Sequence, residues 1–270
     1  MKVKLVGFDF LRERLTQEGC EFVGSGEELF LNEQADGELP KVVLSSLGIK
    51  TRNEPERFGV MKFFHNGFSP QTIVTLPVWG MMPGNLGANI QTALAARFIP
   101  STPPVFENED LSLTLAEMNY TGFVTAGFGQ ELCSLRLGAG MAFYNVMEGI
   151  PGLLIDFLTG KNMLLESWTY SVLLSRFPYP AMEKADRVAF SVDPQARGHL
   201  WFFKVQRQKN AFFTADTRIG IATSWATTLH EAARRVLRTL EGINIPEKQY
   251  RTDLTNACRW YEVKEHQAVS

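Results

Sequence analysis

Residues 58–89, FGVMKFFHNGFSPQTIVTLPVWGMMPGNLGAN, decide how the rest of the chain is read. Phe58, Val60, Lys62 and Phe64 alternate with Gly59, Met61, Phe63 and His65, and this aromatic-rich period of two ends at Asn66-Gly67. Asn-Gly supplies the positive φ angles of a tight two-residue hairpin, so residues 58–65 and 71–78 are predicted to be paired antiparallel strands. A helix through the same residues would bury a turn signal in its middle. Met81-Met82-Pro83-Gly84-Asn85-Leu86-Gly87 then reads as a loop too apolar for a plain linker. Hairpin and loop together form the centre of a β-rich core.

Length and composition bound what surrounds that centre. A chain of 270 residues holds one large domain or two small ones and can bury a sizeable interior. Hydrophobic content of 45% with 21% charged residues is ordinary for a soluble globular protein, and 20 Phe favour a sheet-rich interior. A net charge of −2 argues against a dedicated nucleic-acid or anionic-membrane surface, while leaving room for local basic patches. Cys20, Cys133 and Cys258 are odd in number, far apart and form no CxxC pair. Neither a disulfide scaffold nor a zinc site is expected, and a reducing cytoplasm is the natural compartment. The first five residues are too short and mixed for a secretory signal, and no apolar run approaches the roughly 18 residues of a membrane span.

Upstream of the hairpin the pattern alternates between strand and helix. A strand is predicted over residues 3–6, a helix over 8–18 with Leu11 and Leu15 on one face and Gly19 as its stop, and a short strand over 21–24. Ser25 and Glu28 form a capping-box pattern for a helix over 27–32, and residues 40–47 read as a further helix ended by Gly48. Downstream, residues 99–108 are a loop with three prolines. A helix over 111–118 follows, with Leu113, Leu115 and Met118 turned inward, and then two strands over 120–128 and 132–137 joined at Gly129. Residues 151–158 read as a short helix. From Thr169 the character changes to short strands over 170–174, 187–192, 199–205, 211–215 and 219–224. One clear helix follows, in which Thr228 and Glu231 make the capping box, Leu229, Ala232, Ala233, Val236, Leu237 and Leu240 make the stripe, and Gly242 is the stop. The expected organisation is α+β: a remnant α/β segment over 1–50, an antiparallel sheet domain over 51–168, and a small α+β module over 169–270.

Four stretches in this order resemble phosphoribosylamine–glycine ligase, an ATP-grasp enzyme. They are Leu11-Arg12 through Gly48-Ile49-Lys50-Thr51; Phe63-Phe64-His65-Asn66-Gly67 with Pro83-Gly84-Asn85-Leu86-Gly87-Ala88-Asn89; Tyr120-Thr121-Gly122-Phe123 with Arg136-Leu137-Gly138; and Phe177-Pro178-Tyr179-Pro180 through Tyr250-Arg251-Thr252-Asp253-Leu254. The resemblance implies a truncated ATP-grasp-like sheet domain. It also implies departures. Thr51 and Phe58 are only a few residues apart where the family carries the first half of its nucleotide cleft. At the family's two magnesium-ligand positions stand Leu132 and Ser134, and leucine offers a hard cation no oxygen. Glu131 is one residue off, which in a strand points it to the opposite face.

The remaining candidates each admit two readings. Residues 82–89 could bring backbone N–H groups to an anion, with Asn85, Gly87 and Asn89 as contacts, or could simply be a structural turn. Arg136 sits in an otherwise apolar strand and requires an anionic partner, either a carboxylate such as Asp156 or Glu148 or a ligand anion. The resemblance suggests that Arg251 and Asp253 tie the C-terminal tail to its module. Lys204, Arg207, Lys209 and Arg218 form a modest basic cluster. His65, His199, His230 and His266 show no ligand spacing, and Cys133 reads as a small hydrophobe. No catalytic residue, metal or cofactor is expected. The leading expectation is a glycine-ligase-like protein that has lost ATP-dependent catalysis and binds a partner chain or itself as a homo-oligomer, without nucleic acid or membrane. The alternative is an ATP- and magnesium-dependent carboxylate–amine ligase completed by a partner chain.

Overall fold

The computed structural model describes residues 2–6, 15–22, 29–32, 37–39, 41–54, 56–99, 103–150, 152, 154–159, 166–209 and 211–253. In chain order the first elements are β1 (Lys2–Val6), β2 (Glu21–Phe22), β3 (Leu29–Asn32), β4 (Gly37–Glu38), α1 (Lys41–Ser46), β5 (Phe58–His65), β6 (Thr72–Trp79), β7 (Gln91–Ile99), α2 (Glu109–Glu117), β8 (Thr121–Phe128), β9 (Leu132–Leu137), α3 (Ala142–Gly149) and α4 (Leu154–Leu158). There follow β10 (Trp168–Arg176), β11 (Lys184–Val192), β12 (Leu200–Phe202), β13 (Gln206–Gln208), β14 (Ala211–Asp216), β15 (Arg218–Ala226), α5 (Leu229–Glu241), β16 (Ile243–Asn244) and β17 (Lys248–Gln249). The architecture is α+β and mostly antiparallel. The chain divides into one unit of residues 1–76, 97–143 and 149–166, and another of 77–96, 144–148 and 167–270.

In the first unit β5 is the organising strand. It pairs antiparallel with β8 along its whole length, from Phe58↔Phe128 to His65↔Thr121, and with β6 from Gly59↔Thr75 to Met61↔Ile73. β9 continues the sheet beyond β8, and β4 pairs with β9 through Gly37↔Leu137 and Glu38↔Arg136. The alternation within β5 does not separate a wet face from a dry one. Val60 and Phe64 face a core with Leu44, Leu111, Leu115 and Leu135, while Phe63 meets the rings of Phe123 and Phe157 on the other side at 5.2 and 5.9 Å. Lys62 is buried too, and burial pushes its ammonium pKa down.

The turn is longer than the predicted two residues. Asn66 takes the expected positive φ of 55°, but six residues separate β5 from β6. Pro70 has no N–H to give a ladder, and Ser69 instead satisfies Phe63, its N–H donating to Phe63 O at 2.8 Å. This detour tucks the Phe68 ring between Phe64 and Phe106, with centroids at 5.0 and 5.1 Å.

Two further expectations are corrected. Residues 29–32 are strand, not helix: β3 runs parallel to β1 from Val3↔Leu29 to Val6↔Asn32. A four-residue ladder on a neighbouring strand outweighs the capping-box pattern, whose Ser25 and Glu28 lie outside the described residues. In α2 the inward pair is Leu111 and Leu115, four apart, whereas Leu113 and Met118 are exposed, as a period of 3.6 requires. Strand β7 and helix α3 have no counterpart in the sequence reading. Of the helix expected over 8–18, residues 15–18 fall within the described residues; 15–17 are helical, with Leu15 buried, and Glu18 begins the turn.

In the second unit β10 and β15 pair antiparallel from Trp168↔Ala226 to Leu174↔Gly220, β12 flanks β15, and β17 pairs with the end of β10. A separate sheet has the order β13-β14-β11-β16. α5 begins as its sequence specifies, with the Thr228 hydroxyl accepting from Glu231 N at 3.3 Å, and buries Leu229, Ala232, Ala233, Val236 and Leu240. Among the described residues no helix is long and apolar enough to cross a membrane.

Candidate functional site

In the first unit, Arg136 sits near the end of the β8–β9 hairpin, and the carboxylate that meets it is neither Asp156 nor Glu148. Arg136 Nη2 donates to Glu56 Oε1 at 2.7 Å, and Ser134 Oγ donates to Glu56 Oε2 at 3.4 Å. Glu56 belongs to a strap across this hairpin formed by residues 52–54 and 56–57. Arg52 N donates to Leu132 O and Arg57 N to Phe128 O, both at 2.7 Å. The Glu54 carboxylate accepts from Glu131 N (2.8 Å) and Gln130 N (3.0 Å), and these amides hold its pKa below the usual carboxylate range. Glu131 itself is paired outward with Arg52 at 2.6 Å. Gly129 makes room for the strap, since a Cβ there would meet Glu54 Cδ at 2.5 Å.

At the two positions where the resemblance would put magnesium ligands, the side chains present do not fit a hard cation. Leu132 has no oxygen donor, the Ser134 hydroxyl is turned to Glu56, and Glu54, Glu56 and Glu131 are each engaged by amides or a guanidinium. Among the described residues no group of three His, Cys, Asp or Glu could hold a metal ion.

In the second unit, the loop bearing Asn85, Gly87 and Asn89 is exposed and already carries an anion of its own. Asp253 Oδ2 accepts from Gly84 N at 2.8 Å. Arg251 is buried beneath the loop and forks onto Asp253, Nε to Oδ1 at 2.6 Å and Nη2 to Oδ2 at 2.7 Å. Its Nη1 donates to Trp79 O (2.7 Å), Gly80 O (3.2 Å) and Asn85 Oδ1 (2.8 Å). The loop follows a path that glycine permits: Gly80 has φ +93°, and a Cβ on it would lie 2.7 Å from Asn85 Cα. The Arg251 guanidinium holds the Asp253 carboxyl below its ordinary pKa. The Arg–Asp pair thus ties the tail to the loop rather than only to its own module.

One cluster escapes sequence reading altogether. Glu148, its side chain 7% exposed, accepts from His199 Nδ1 at 2.9 Å through one oxygen and from the Thr223 hydroxyl at 2.8 Å through the other. Trp201 Nε1 donates to the same hydroxyl at 3.0 Å. The hydrogen bond to Glu148 raises the His199 pKa against the opposing effect of burial. A raised histidine pKa adds stability that is complete below the unfolded value of about 6.5 and is lost as pH rises through the folded value. Urea unfolding between about pH 5.5 and 8.5 is expected to show this loss in the natural protein and not in His199→Gln; parallel profiles would refute it.

The other sequence candidates stay apart. His65 Nδ1 lies 3.3 Å from Thr121 Oγ1, His230 is in the first turn of α5, and His266 and Cys258 lie outside the described residues. Cys20 and Cys133 are free thiols whose pKa values burial raises.

Comparison with solved structures bears on the fold. Residues covering 76% of this chain superpose on 56% of the phosphoribosylamine–glycine ligase of Thermotoga maritima, with a TM-score of 0.52 and 17% identity. The fold is ATP-grasp-like. The biotin carboxylase subunit of pyruvate carboxylase matches over 79% of this chain and 51% of its own, with a TM-score of 0.42 and 14% identity. The pyruvate carboxylase of Rhizobium etli matches over 80% and 22%, with a TM-score of 0.44 and 13% identity. The chain thus spans little more than half of the ligase it resembles. No protein-family model matches it, and no curated protein does.

Proposed function

We propose that this chain is a glycine-ligase-like ATP-grasp protein whose work is binding and assembly rather than ATP-dependent ligation. The observation that carries this reading is the closure of Glu56 on Arg136 at 2.7 Å. Activation of a carboxylate by phosphoryl transfer relies on cations and a metal gathered around the triphosphate, because charge stabilisation and positioning are nearly all of the catalysis. Here the guanidinium that would face a phosphate is neutralised from within, and Asp253 occupies the amide of Gly84 in the loop. The work left to such a scaffold is to hold a partner chain or a second copy of itself, in which case the protein is a homo-oligomer; a monomer in light scattering would count against self-association.

A second reading is favoured by the fold likeness to a phosphoribosylamine–glycine ligase: an ATP-dependent carboxylate–amine ligase whose remaining cationic groups come from a partner chain. Calorimetric titration with ATP, with and without magnesium, separates the two. The binding reading expects no heat of association in either case. Micromolar, magnesium-dependent ATP binding would overturn it in favour of the ligase.

A further inference from the structure

The net charge of −2 conceals a segregation. Between the first residue of β11 and the first of β15, residues 184–218 carry seven Lys or Arg against three Asp, a net of +4. The arginines of this stretch are also held differently from others. Arg52, Arg136, Arg176, Arg234, Arg235 and Arg251 each have a carboxylate within 4.0 Å. Among the described residues Arg187, Arg197, Arg207 and Arg218 have none, and each lies over a phenylalanine ring instead. Arg197 and Arg207 converge on Phe212 at 5.6 and 6.0 Å, Arg187 covers Phe213 at 5.0 Å, and Arg218 covers Phe203 at 4.4 Å.

These groups surround one feature, the hairpin of β13 and β14. Its inner face is anchored by Phe212, whose ring lies 5.6 Å from Phe190 and 5.3 Å from Phe202. Its outer face presents Gln206 opposite the half-buried Phe213, with Arg187 Nη2 donating to Gln206 Oε1 at 3.4 Å. β13 is a fully exposed edge strand. Arg187, Arg207 and Arg218 are exposed, whereas Arg197 is half-buried and donates to Val192 O. An exposed, carboxylate-free guanidinium stacked on an aromatic ring keeps its charge, with little side-chain freedom left to lose on binding an anion.

We propose that the β13–β14 hairpin and its flanking arginines bind single-stranded nucleic acid, phosphates meeting the guanidinium groups and bases stacking beside Phe203 and Phe213. A polyanion with exposed π-faces matches both halves of the surface. A duplex hides those faces, and reading it requires an element for a groove. The one long helix among the described residues of this unit, α5, spends its apolar stripe on its own core and pairs Arg234 and Arg235 with Glu231.

Fluorescence anisotropy of a labelled oligothymidylate with the full chain tests this surface. Binding is expected to weaken steeply with salt. The double substitution Arg187→Ala with Arg207→Ala is expected to cost at least about tenfold in affinity and to flatten the log–log salt slope by about 1.4, the value for two lost single-strand phosphate contacts. Arg207→Lys keeps the charge and loses the stacked plane, so affinity falls while the slope stays unchanged. Arg234→Ala, on α5, leaves binding as it was. Circular dichroism of each variant should match the natural protein, because the substituted side chains are exposed. No salt-dependent binding, equal affinity of the double variant, tighter binding of duplex than of single strand, or displacement of the oligonucleotide by phosphatidylserine vesicles would each overturn the proposal. None of these outcomes alters the ATP titration, so this inference and the proposed function fail separately.

Discussion

Arg251→Ala is expected to lower the free energy of unfolding by about 3–5 kcal/mol, the range for breaking a buried ion pair by removing one partner. The size follows from what Arg251 leaves behind. Its side chain is 2% exposed and Asp253 is 17% exposed, so neither charge is compensated by water. Without the guanidinium, Trp79 O, Gly80 O and Asn85 Oδ1 each lose a donor, and Asp253 is left with backbone amides such as that of Gly84. Arg251→Lys is not a rescue, because one ammonium cannot fork onto a carboxylate and also reach three further oxygens. Urea unfolding gives the magnitude, and limited proteolysis gives the location: cleavage should appear within residues 81–89 in the variant first. The acid side provides an independent check. Asp253 has a depressed pKa, so its contribution is present above the ordinary carboxylate range and is lost as pH falls through the folded value. In Arg251→Ala that portion of the acid sensitivity should vanish. A loss under about 1 kcal/mol with unchanged proteolysis would mean that the loop holds its own conformation.

How much of this was legible beforehand depends on the range of the interactions. Local signals read through. The alternation of residues 58–65 gave strand β5, Asn66 took its positive φ, and Thr228 with Glu231 marked the start of α5. β7 was not legible because Gln91–Ile99 is rich in alanine, a helix former, and is strand only because its flanking strands bury it. The side-chain partnerships were out of reach for a different reason. Glu56 and Arg136 are 80 residues apart, Glu148 and His199 are 51 apart, and Arg251 reaches Trp79 across 172. An unpaired arginine in an apolar strand announces that a partner exists, but not which one. The charge of residues 184–218 was visible as a cluster, while its stacking on phenylalanine rings required the hairpin.

Phe64→Ala is expected to cost about 3–5 kcal/mol, as large-to-small changes of aromatic residues in well-packed cores do. Phe64 is 1% exposed, pairs with Gly122 of β8 on one side and bridges to Phe68 of the turn on the other, so its backbone is held and the site can collapse only so far. Its ring also carries the turn: Phe68 packs edge-on against it at 5.0 Å, and Phe106 packs on Phe68 at 5.1 Å. The chain of three rings explains why residues 66–71 form a longer connection than Asn-Gly demands, since shortening the turn would withdraw Phe68 from the core. Phe64→Leu, which keeps most of the volume, should cost under about 1.5 kcal/mol. Phe177→Ala, at a ring 59% exposed, should stay within about 0.5 kcal/mol. The double variant Phe64→Ala with Phe68→Ala should fall short of the summed losses by about 0.5–1.5 kcal/mol, the coupling of one aromatic pair. Strict additivity would show that the turn and the strand are stabilised separately, and the long hairpin connection would then need another cause.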